Sequence, residues 1–163
     1  MKILAVLQNA YSYKPLNREI SPEVWFRLMC RCTTGKRLAK VFDSMPEMLN
    51  KRKKGLLSVI DSTSAWGVGV SSRLKPDLTH LQTHLQDFKP DLVLTCGLVA
   101  EGALRGLWKG NLVCIPHPAS RTLTNDLLIS ANKYIAALET LDSAMPVRVA
   151  FRQNRGSHSI EYL

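Results

Sequence analysis

The segment PDLVLTCG, at residues 90–97, constrains the fold more than any other part of the chain. It is a short apolar run bounded by proline and glycine, which is typical of a strand covered on both faces in a parallel sheet. Similar strands are predicted at residues 2–7, 55–61 and 111–115. We therefore expect a central, mainly parallel four-stranded sheet, with residues 147–151 as a candidate for one more strand.

Segments with the spacing of amphipathic helices alternate with these strands. They are predicted at residues 21–32, 34–45, 77–88, 99–107 and 126–141, with Asn125 as the cap of the last helix. Strands that alternate with helices imply right-handed crossovers, which place helices on both faces of a parallel sheet. The sequence therefore predicts an α/β/α three-layer sandwich, formed by residues 1–163 as a single domain.

His80 and His84 lie four residues apart on one predicted helix, which is a spacing found in metal sites. No third ligand is evident near them in the sequence, so we interpret the pair as part of a solvated face. The sequence thus predicts no metal site, and it implies no organic cofactor.

The amino terminus, MKILAVL, looks like the start of a secretory signal. Gln8 and Asn9 follow too soon for an apolar signal core, and no small-residue cleavage site is present. No apolar run approaches the length of a membrane span. We therefore expect a soluble, cytoplasmic protein with no membrane partner.

The positive charge of the chain is concentrated in its first third. The formal net charge is +9, and residues 1–54 hold 12 basic and 4 acidic residues, so +8 of the excess lies there (12 − 4). Clustered cations gain free energy by releasing counterions from phosphates, which favours a polyanion as the partner. The alternative is a solvated basic face without a partner, and the run KRKK at residues 51–54 alone is weak evidence between the two.

In parallel sheets, ligands bind at the carboxyl ends of the strands. That rule selects three loops as candidate sites, at residues 8–12, 61–66 and 116–121. In the third loop His117 stands between two prolines, which fix the direction of the backbone that carries its ring.

Four segments, taken in order, resemble the uracil-DNA glycosylase superfamily. LQNAY at residues 7–11 is similar to its first motif, and HPAS at residues 117–120 to its His-Pro-Ser turn. Between them, TTGKRLAKVF and KPDLVLTCGLVAEGAL are similar to a family helix and to a family strand and helix. The resemblance covers residues 2–128 and implies the three-layer fold of that superfamily.

The resemblance implies a monofunctional DNA glycosylase, which flips a pyrimidine out of DNA and hydrolyses its N-glycosidic bond. Asn9 would orient the attacking water, and His117 would donate a hydrogen bond to the pyrimidine O2. Gln8 and Tyr11 would line the base pocket. The residues assigned to DNA contacts are Arg18, Lys36, Arg37, Ser120 and Arg121.

One departure from the family bears on the substrate. The second strand of these enzymes commonly ends in an Asn that reads the base, whereas here Asp61 and Ser62 stand near that place. An Asp accepts hydrogen bonds, which suits the exocyclic N4 of cytosine better than the O4 of uracil. We therefore expect DNA with a uracil-like or modified pyrimidine as the partner, including modified cytosines of viral DNA, in repair or in phage defence.

Two other functions remain open from the sequence. The same fold with Asn9 and Ala10 in its first motif could bind modified DNA without cutting it. An α/β enzyme that acts on a free nucleoside or nucleotide would also fit, and the basic first third would then be incidental. In each case we expect a monomer with no obligate protein partner.

Overall fold

The computed structural model describes residues 1–8, 33–63, 75–141, 145–154 and 157–163. Within these ranges the chain forms six strands and five helices. In chain order they are β1 (Ile3–Leu7), α1 (Thr33–Asp43), α2 (Pro46–Lys53), β2 (Leu57–Asp61), α3 (Leu78–Phe88), β3 (Leu92–Cys96), α4 (Leu98–Leu107), β4 (Asn111–Ile115), α5 (Asn125–Leu138), β5 (Arg148–Asn154) and β6 (Ser157–Tyr162).

The six strands form one sheet in the order β2-β1-β3-β4-β5-β6. The first five strands are parallel, and β6 pairs with β5 in the antiparallel direction. The chain moves from β1 to β2 on one side, and from β3 to β4 on the other side. The strand order therefore reverses between β1 and β3, and such a switch point opens a crevice at the carboxyl ends of the strands.

Helices cover both faces of the sheet because successive strand residues point to opposite faces. One core cluster combines Ile3, Ala5 and Leu7 of β1 with buried residues of α1, α2 and α5. The other combines Leu4 and Val6 with buried residues of α3 and α4. This arrangement confirms the predicted α/β class and places each parallel strand in an apolar environment on both sides.

The predicted strand count of four is too low, since the sheet has six strands. The candidate strand at residues 147–151 is real and forms part of β5. β6 could not be recognised in the sequence, because SHSIEY contains no apolar run. Its large side chains Ile160 and Tyr162 are exposed by 42% and 78%, so the strand does not contribute them to the core. Backbone pairing with β5 holds this strand instead.

One helix was not predicted, the cap of another needs correction, and a third predicted helix lies outside the described residues. Residues 46–53, for which the sequence predicted no helix, form α2, with Pro46 in its first turn. Thr124, rather than Asn125, caps α5, because its hydroxyl accepts the Leu127 N–H at 3.3 Å. The helix predicted at residues 21–32 lies outside the described residues.

The run KRKK is only partly a solvated surface. Lys51 is 4% exposed and makes an ion pair with Glu139 at the end of α5. Arg52 makes an ion pair with Asp43 at 2.7 Å. Two of the four cations therefore hold α2 against its neighbours, and the excess of charge available to a polyanion in this run is smaller than the sequence indicates.

A search of the described residues for a helix long and apolar enough to cross a membrane finds none.

Candidate functional site

Four residues stand at or just after the carboxyl ends of four adjacent strands. Across the sheet they stand in the order Asp61 at the end of β2, Gln8 after β1, Gly97 after β3 and His117 after β4. We call this row the carboxyl edge. Adjacent strands lie about 4.8 Å apart, so about 10 Å separates the ends of β1 and β4, which flank the end of β3. The row spans the switch point, and it contains one residue from each of the three loops that the sequence selected.

Ser62 ties the ends of β1 and β2 together. It is fully buried, its hydroxyl donates to the carbonyl oxygen of Gln8, and its N–H donates to the Leu7 carbonyl at 2.8 Å. Its own carbonyl accepts the Asp77 N–H at 2.8 Å, just before α3. Ser62 was predicted to line the base pocket, and in the structure its hydroxyl holds the main chain of Gln8 in place.

Asp61 is a buried acid with an unpartnered oxygen. The residue is 7% exposed, and Oδ1 has no hydrogen-bond partner among the residues that the structure describes. Burial raises the pKa of Asp61 to about 7. From the sequence, this side chain was expected to accept hydrogen bonds. Near pH 7 the neutral carboxyl is therefore populated beside the carboxylate, and the neutral form can also donate a hydrogen bond.

His80 does not belong to a fully solvated face, and that prediction is wrong. The residue is partly buried, and its Nε2 lies 3.1 Å from the carbonyl oxygen of Asp61. Its ring also contacts His84 edge to face, with 4.6 Å between the ring centroids. The helical spacing that suggested a metal pair instead places an imidazole against the end of β2.

His117 begins a tight turn. The Ser120 N–H donates to the His117 carbonyl at 2.7 Å, and Pro118 occupies the second position of this turn, where its fixed φ is favoured. The Ala119 N–H donates to the ring Nδ1 at 3.1 Å. Because Nδ1 accepts this hydrogen bond, a neutral ring carries its proton on Nε2. Burial lowers the pKa of His117, so the ring is neutral at pH 7 and Nε2 is a donor.

Gly97 packs closely against His117. Its φ of +102° lies in a region that other residues rarely adopt, and it precedes the first turn of α4. A methyl group at Gly97 would lie 3.1 Å from Cβ of His117 and 3.6 Å from Cδ2. The close packing therefore requires glycine. In the sequence, Gly97 was interpreted only as the end of a strand. A glycine between a buried strand and a helix also indicates a point of close packing at the site.

A second turn follows the first and carries Arg121. The Leu123 N–H points to the Ser120 carbonyl at 3.4 Å, and the Ser120 hydroxyl accepts the Thr122 N–H at 3.2 Å. Ser120 and Thr122 also share a hydrogen bond between their hydroxyls at 2.7 Å. Arg121 is exposed at this turn. Ser120 was assigned to a phosphate, and in the structure its hydroxyl also shapes the turn that presents Arg121.

Lys36 and Arg37, also assigned to phosphate contacts, are exposed in the first turns of α1. The first turn of that helix holds no acidic residue. The amino end of a helix carries a partial positive charge. Lys36 and Arg37 add positive charge close to it, and together they favour the binding of an anion. Three other predicted site residues, Asn9, Tyr11 and Arg18, lie outside the described residues.

A second charged cluster lies beside the carboxyl edge. Glu101, in the first turn of α4, is 4% exposed. Its carboxylate accepts from the Arg152 guanidinium at 2.8 Å and from the Arg105 Nε at 3.0 Å. Burial alone would raise the pKa of Glu101, but the hydrogen bonds and charges of both arginines lower it below its usual value. This cluster joins α4 to β5, and Arg152 also contacts Glu161 of β6 at 3.3 Å.

Two buried cysteines lie near the carboxyl edge. Burial raises the pKa of Cys96 to about 12 and that of Cys114 to about 11. Both are therefore neutral thiols, and a nucleophilic cysteine would need to be a thiolate. They fill the core. Within the described ranges, no three His, Cys, Asp or Glu side chains cluster as a metal site.

Comparison of the sequence with models of known protein families finds no match. A search of curated proteins also finds no significant match.

Proposed function

We propose that the protein is a monofunctional DNA glycosylase of the uracil-DNA glycosylase type. The observation that carries this proposal is the neutral, oriented imidazole of His117 at the carboxyl edge, with Nε2 as a donor. Departure of a pyrimidine leaves negative charge on the base, including its O2. A fixed neutral donor stabilises that charge without losing its proton to it.

The reaction would proceed by attack of water on C1′ of the sugar. A bond forms between the water oxygen and C1′, and the bond between C1′ and N1 of the base breaks with its electron pair going to the base. The proton released by the water ends on solvent or on the departing base. Asn9 is assigned to orient the water, since an amide can hold a water molecule but cannot act as a general base.

Contacts to the DNA backbone would come from exposed cations. Arg121 stands four residues after His117 in the pair of turns, and Lys36 and Arg37 lie at the start of α1. Base flipping requires such a grip, because unstacking costs a few kcal/mol that backbone contacts must offset. No lysine stands at the matched site positions, so we expect no Schiff-base step after base release.

The deciding experiment is base release from synthetic duplexes. The panel contains uracil, mismatched thymine, 5-substituted uracils, and unmodified, hydroxymethylated and glucosylated cytosines, and alkali reveals abasic sites. We expect release from at least one duplex. His117→Ala should slow that release about 100-fold to 1,000-fold, which is typical for removal of one donor to a developing negative charge. Asn9→Ala should also slow it.

His158→Ala is the matched control, because His158 is exposed on β6. It should retain the full rate. Tight DNA binding without release from any duplex would replace the glycosylase proposal with a modified-DNA-binding module. Release from free nucleosides alone would replace it with a nucleoside hydrolase. Full activity of His117→Ala would remove His117 from the mechanism.

A further inference from the structure

The two edge strands of the sheet differ in exposure. At one edge all five residues of β2 are buried. At the other edge five of the six residues of β6 are exposed, with Ile160 and Tyr162 among them. No described strand pairs with the outer side of β6. An edge strand of this kind presents a row of unpaired N–H and C=O groups, to which another strand can pair.

The pairing with β5 fixes which backbone groups of β6 point outward. The Leu163 N–H donates to the Arg148 carbonyl at 3.0 Å, so these two residues form a hydrogen-bonded pair. Hydrogen-bonded pairs alternate with non-hydrogen-bonded pairs along an antiparallel ladder, and the register with β5 is unbroken over all six residues of β6. The N–H and C=O groups of His158, Ile160 and Tyr162 therefore point away from β5, towards the open edge.

The sequence of β6 lacks the features that normally keep sheet edges apart. Ser157–Tyr162 contains no proline and no lysine, and its register with β5 has no bulge. Its one formal charge, on Glu161, already pairs with Arg152 of β5 at 3.3 Å. No side chain of this strand therefore opposes the approach of a second strand.

We propose that β6 pairs with β6 of a second copy of this chain, in the antiparallel direction, about a two-fold axis at Ile160. In such a pair the axis is perpendicular to the sheet, so the central residue lies opposite itself. His158 then lies opposite Tyr162 of the second copy, and every outward-facing residue of β6 exchanges both of its N–H···O bonds. Axes at Ser159 or Glu161 would leave one of these residues without a partner in β6.

The same register also matches the side chains. Ile160 lies beside Ile160 of the second copy, and His158 lies beside its Tyr162, so one face gains an apolar pair and aromatic pairs. On the other face Ser159 lies opposite Glu161, where its hydroxyl can donate to the carboxylate. Like charges do not lie directly opposite each other. The strand is therefore complementary to itself in backbone and in side chains, which favours a second copy as the partner.

This pairing leaves the candidate site open. The parallel strands of the two copies run in opposite directions, so the two carboxyl edges lie at opposite ends of the joined sheet. Strand β5 stands between β6 and β4, which precedes His117. The dimer is therefore independent of the proposed glycosylase function, and the rate of base release per chain should not depend on it. It would replace the monomer that the sequence led us to expect.

Sedimentation velocity of the full chain tests the dimer. The wild type should shift towards twice the mass of one chain between about 1 µM and about 100 µM, the range of a small interface. Ile160→Lys sets two cations opposite each other and should raise the dissociation constant about tenfold, and Ile160→Glu should do the same with two anions. An equal mixture of the two variants should dimerise more strongly than either alone, because opposite charges then meet at the axis.

Leu78→Lys is the matched control, because Leu78 is also an exposed apolar residue but lies on α3. It should keep the wild-type dissociation constant.

A disulfide test identifies the register. Opposite residues of a hydrogen-bonded antiparallel pair have Cα atoms about 5.5 Å apart, which suits a disulfide. Under mild oxidation Ile160→Cys should form a covalent dimer that the wild type does not form. Tyr162→Cys should not form one, because the two copies of that residue are offset by about 13 Å along the strands.

Three results would overturn the proposal. A wild type that stays monomeric at about 100 µM leaves the open edge to a strand of another protein. A dimer that Ile160→Lys does not weaken, or that forms no disulfide at position 160, associates through another surface. Species larger than a dimer show an open-ended contact instead of a closed pair. Base release tests the proposed function separately from all of these.

Discussion

Glu101 and Asp61 are both buried acids, but they differ in their hydrogen-bond partners and in the direction of their pKa shifts. Glu101 is 4% exposed and binds two arginines, which lower its pKa. Asp61 is 7% exposed, has an unpartnered oxygen among the described residues, and has its pKa raised to about 7. The first belongs to the junction of α4, β5 and β6, and the second to the carboxyl edge.

The difference separates an acid used for structure from an acid available to a ligand. A carboxylate removed from water needs hydrogen bonds and opposite charge, and Glu101 receives both. Asp61 receives neither from the described residues, so the folded state holds it partly as the neutral acid. An unsatisfied group of this kind costs stability, and a ligand that hydrogen-bonds to it would recover that cost.

Removal of the charge of Glu101 should have the largest effect on stability. Glu101→Gln removes the buried counter-charge of the partly buried Arg152 guanidinium and leaves only the exposed Glu161, which should lower the free energy of unfolding by about 3 kcal/mol at pH 7. Urea unfolding measures this loss. Glu161→Gln is the control, because the Glu161 side chain is 52% exposed. This substitution should lower the free energy of unfolding by less than about 1 kcal/mol. Equal losses in the two variants would mean that burial does not distinguish them.

The two acids should give opposite dependences of stability on pH. The pKa of Asp61 is raised in the folded state from 3.8 to about 7, so the native protein binds more protons than the unfolded chain between these values. The stability contribution of Asp61 is therefore lost as the pH rises towards 7. The pKa of Glu101 is lowered, so its contribution is lost as the pH falls below the ordinary range for Glu.

Asp61→Asn should remove the first of these dependences. Relative to wild type, the variant should gain about 2 to 3 kcal/mol of unfolding free energy between pH 5 and pH 8, from about two pKa units at 1.36 kcal/mol each. Urea unfolding at the two pH values measures the gain. If wild type and variant change equally, the carboxyl of Asp61 is ionised throughout this range.

Gly97 connects the Glu101 cluster with the carboxyl edge. Its carbonyl accepts the Glu101 N–H at 3.1 Å, and His117 packs close to its Cα. Gly97→Ala places a side chain at a φ of +102° and crowds His117, which should cost about 2 kcal/mol. The His117 ring resonances should shift in NMR spectra.

Gly102→Ala is the control for that substitution. No atom lies within 4 Å of a methyl group at Gly102, in the middle of α4. Alanine there should stabilise the helix by up to about 1 kcal/mol. A Gly97→Ala protein as stable as wild type, with unchanged His117 resonances, would show that the histidine does not depend on this contact.

The buried strands could be predicted because the apolar run of each one is visible in its own sequence, without knowledge of distant contacts. Residues 92–96 are apolar except for Thr95, and a run of that kind has few alternatives to a central strand. The edge strand β6 and the basic helix α2 could not be predicted. Their positions depend on pairing with β5 and on the Lys51–Glu139 ion pair, which are contacts between distant parts of the chain.

The candidate site shows the same division. His117, Gln8, Asp61 and Ser62 could be named from the sequence because parallel strands bring their carboxyl ends to one edge. The neutral tautomer of His117, the Ser62 contact to Gln8 and the raised pKa of Asp61 could not, because they depend on which atoms lie within hydrogen-bond distance and on local burial. The position of His80 against the Asp61 carbonyl has no signal in the sequence.

The two turns after β4 share Ser120, so the histidine and Arg121 belong to one structural unit. An insertion between residues 117 and 123 would displace both side chains together. The end of β2 is a separate unit, on the other side of the switch point. A substitution at Asp61 would therefore leave the turns that carry His117 and Arg121 unchanged.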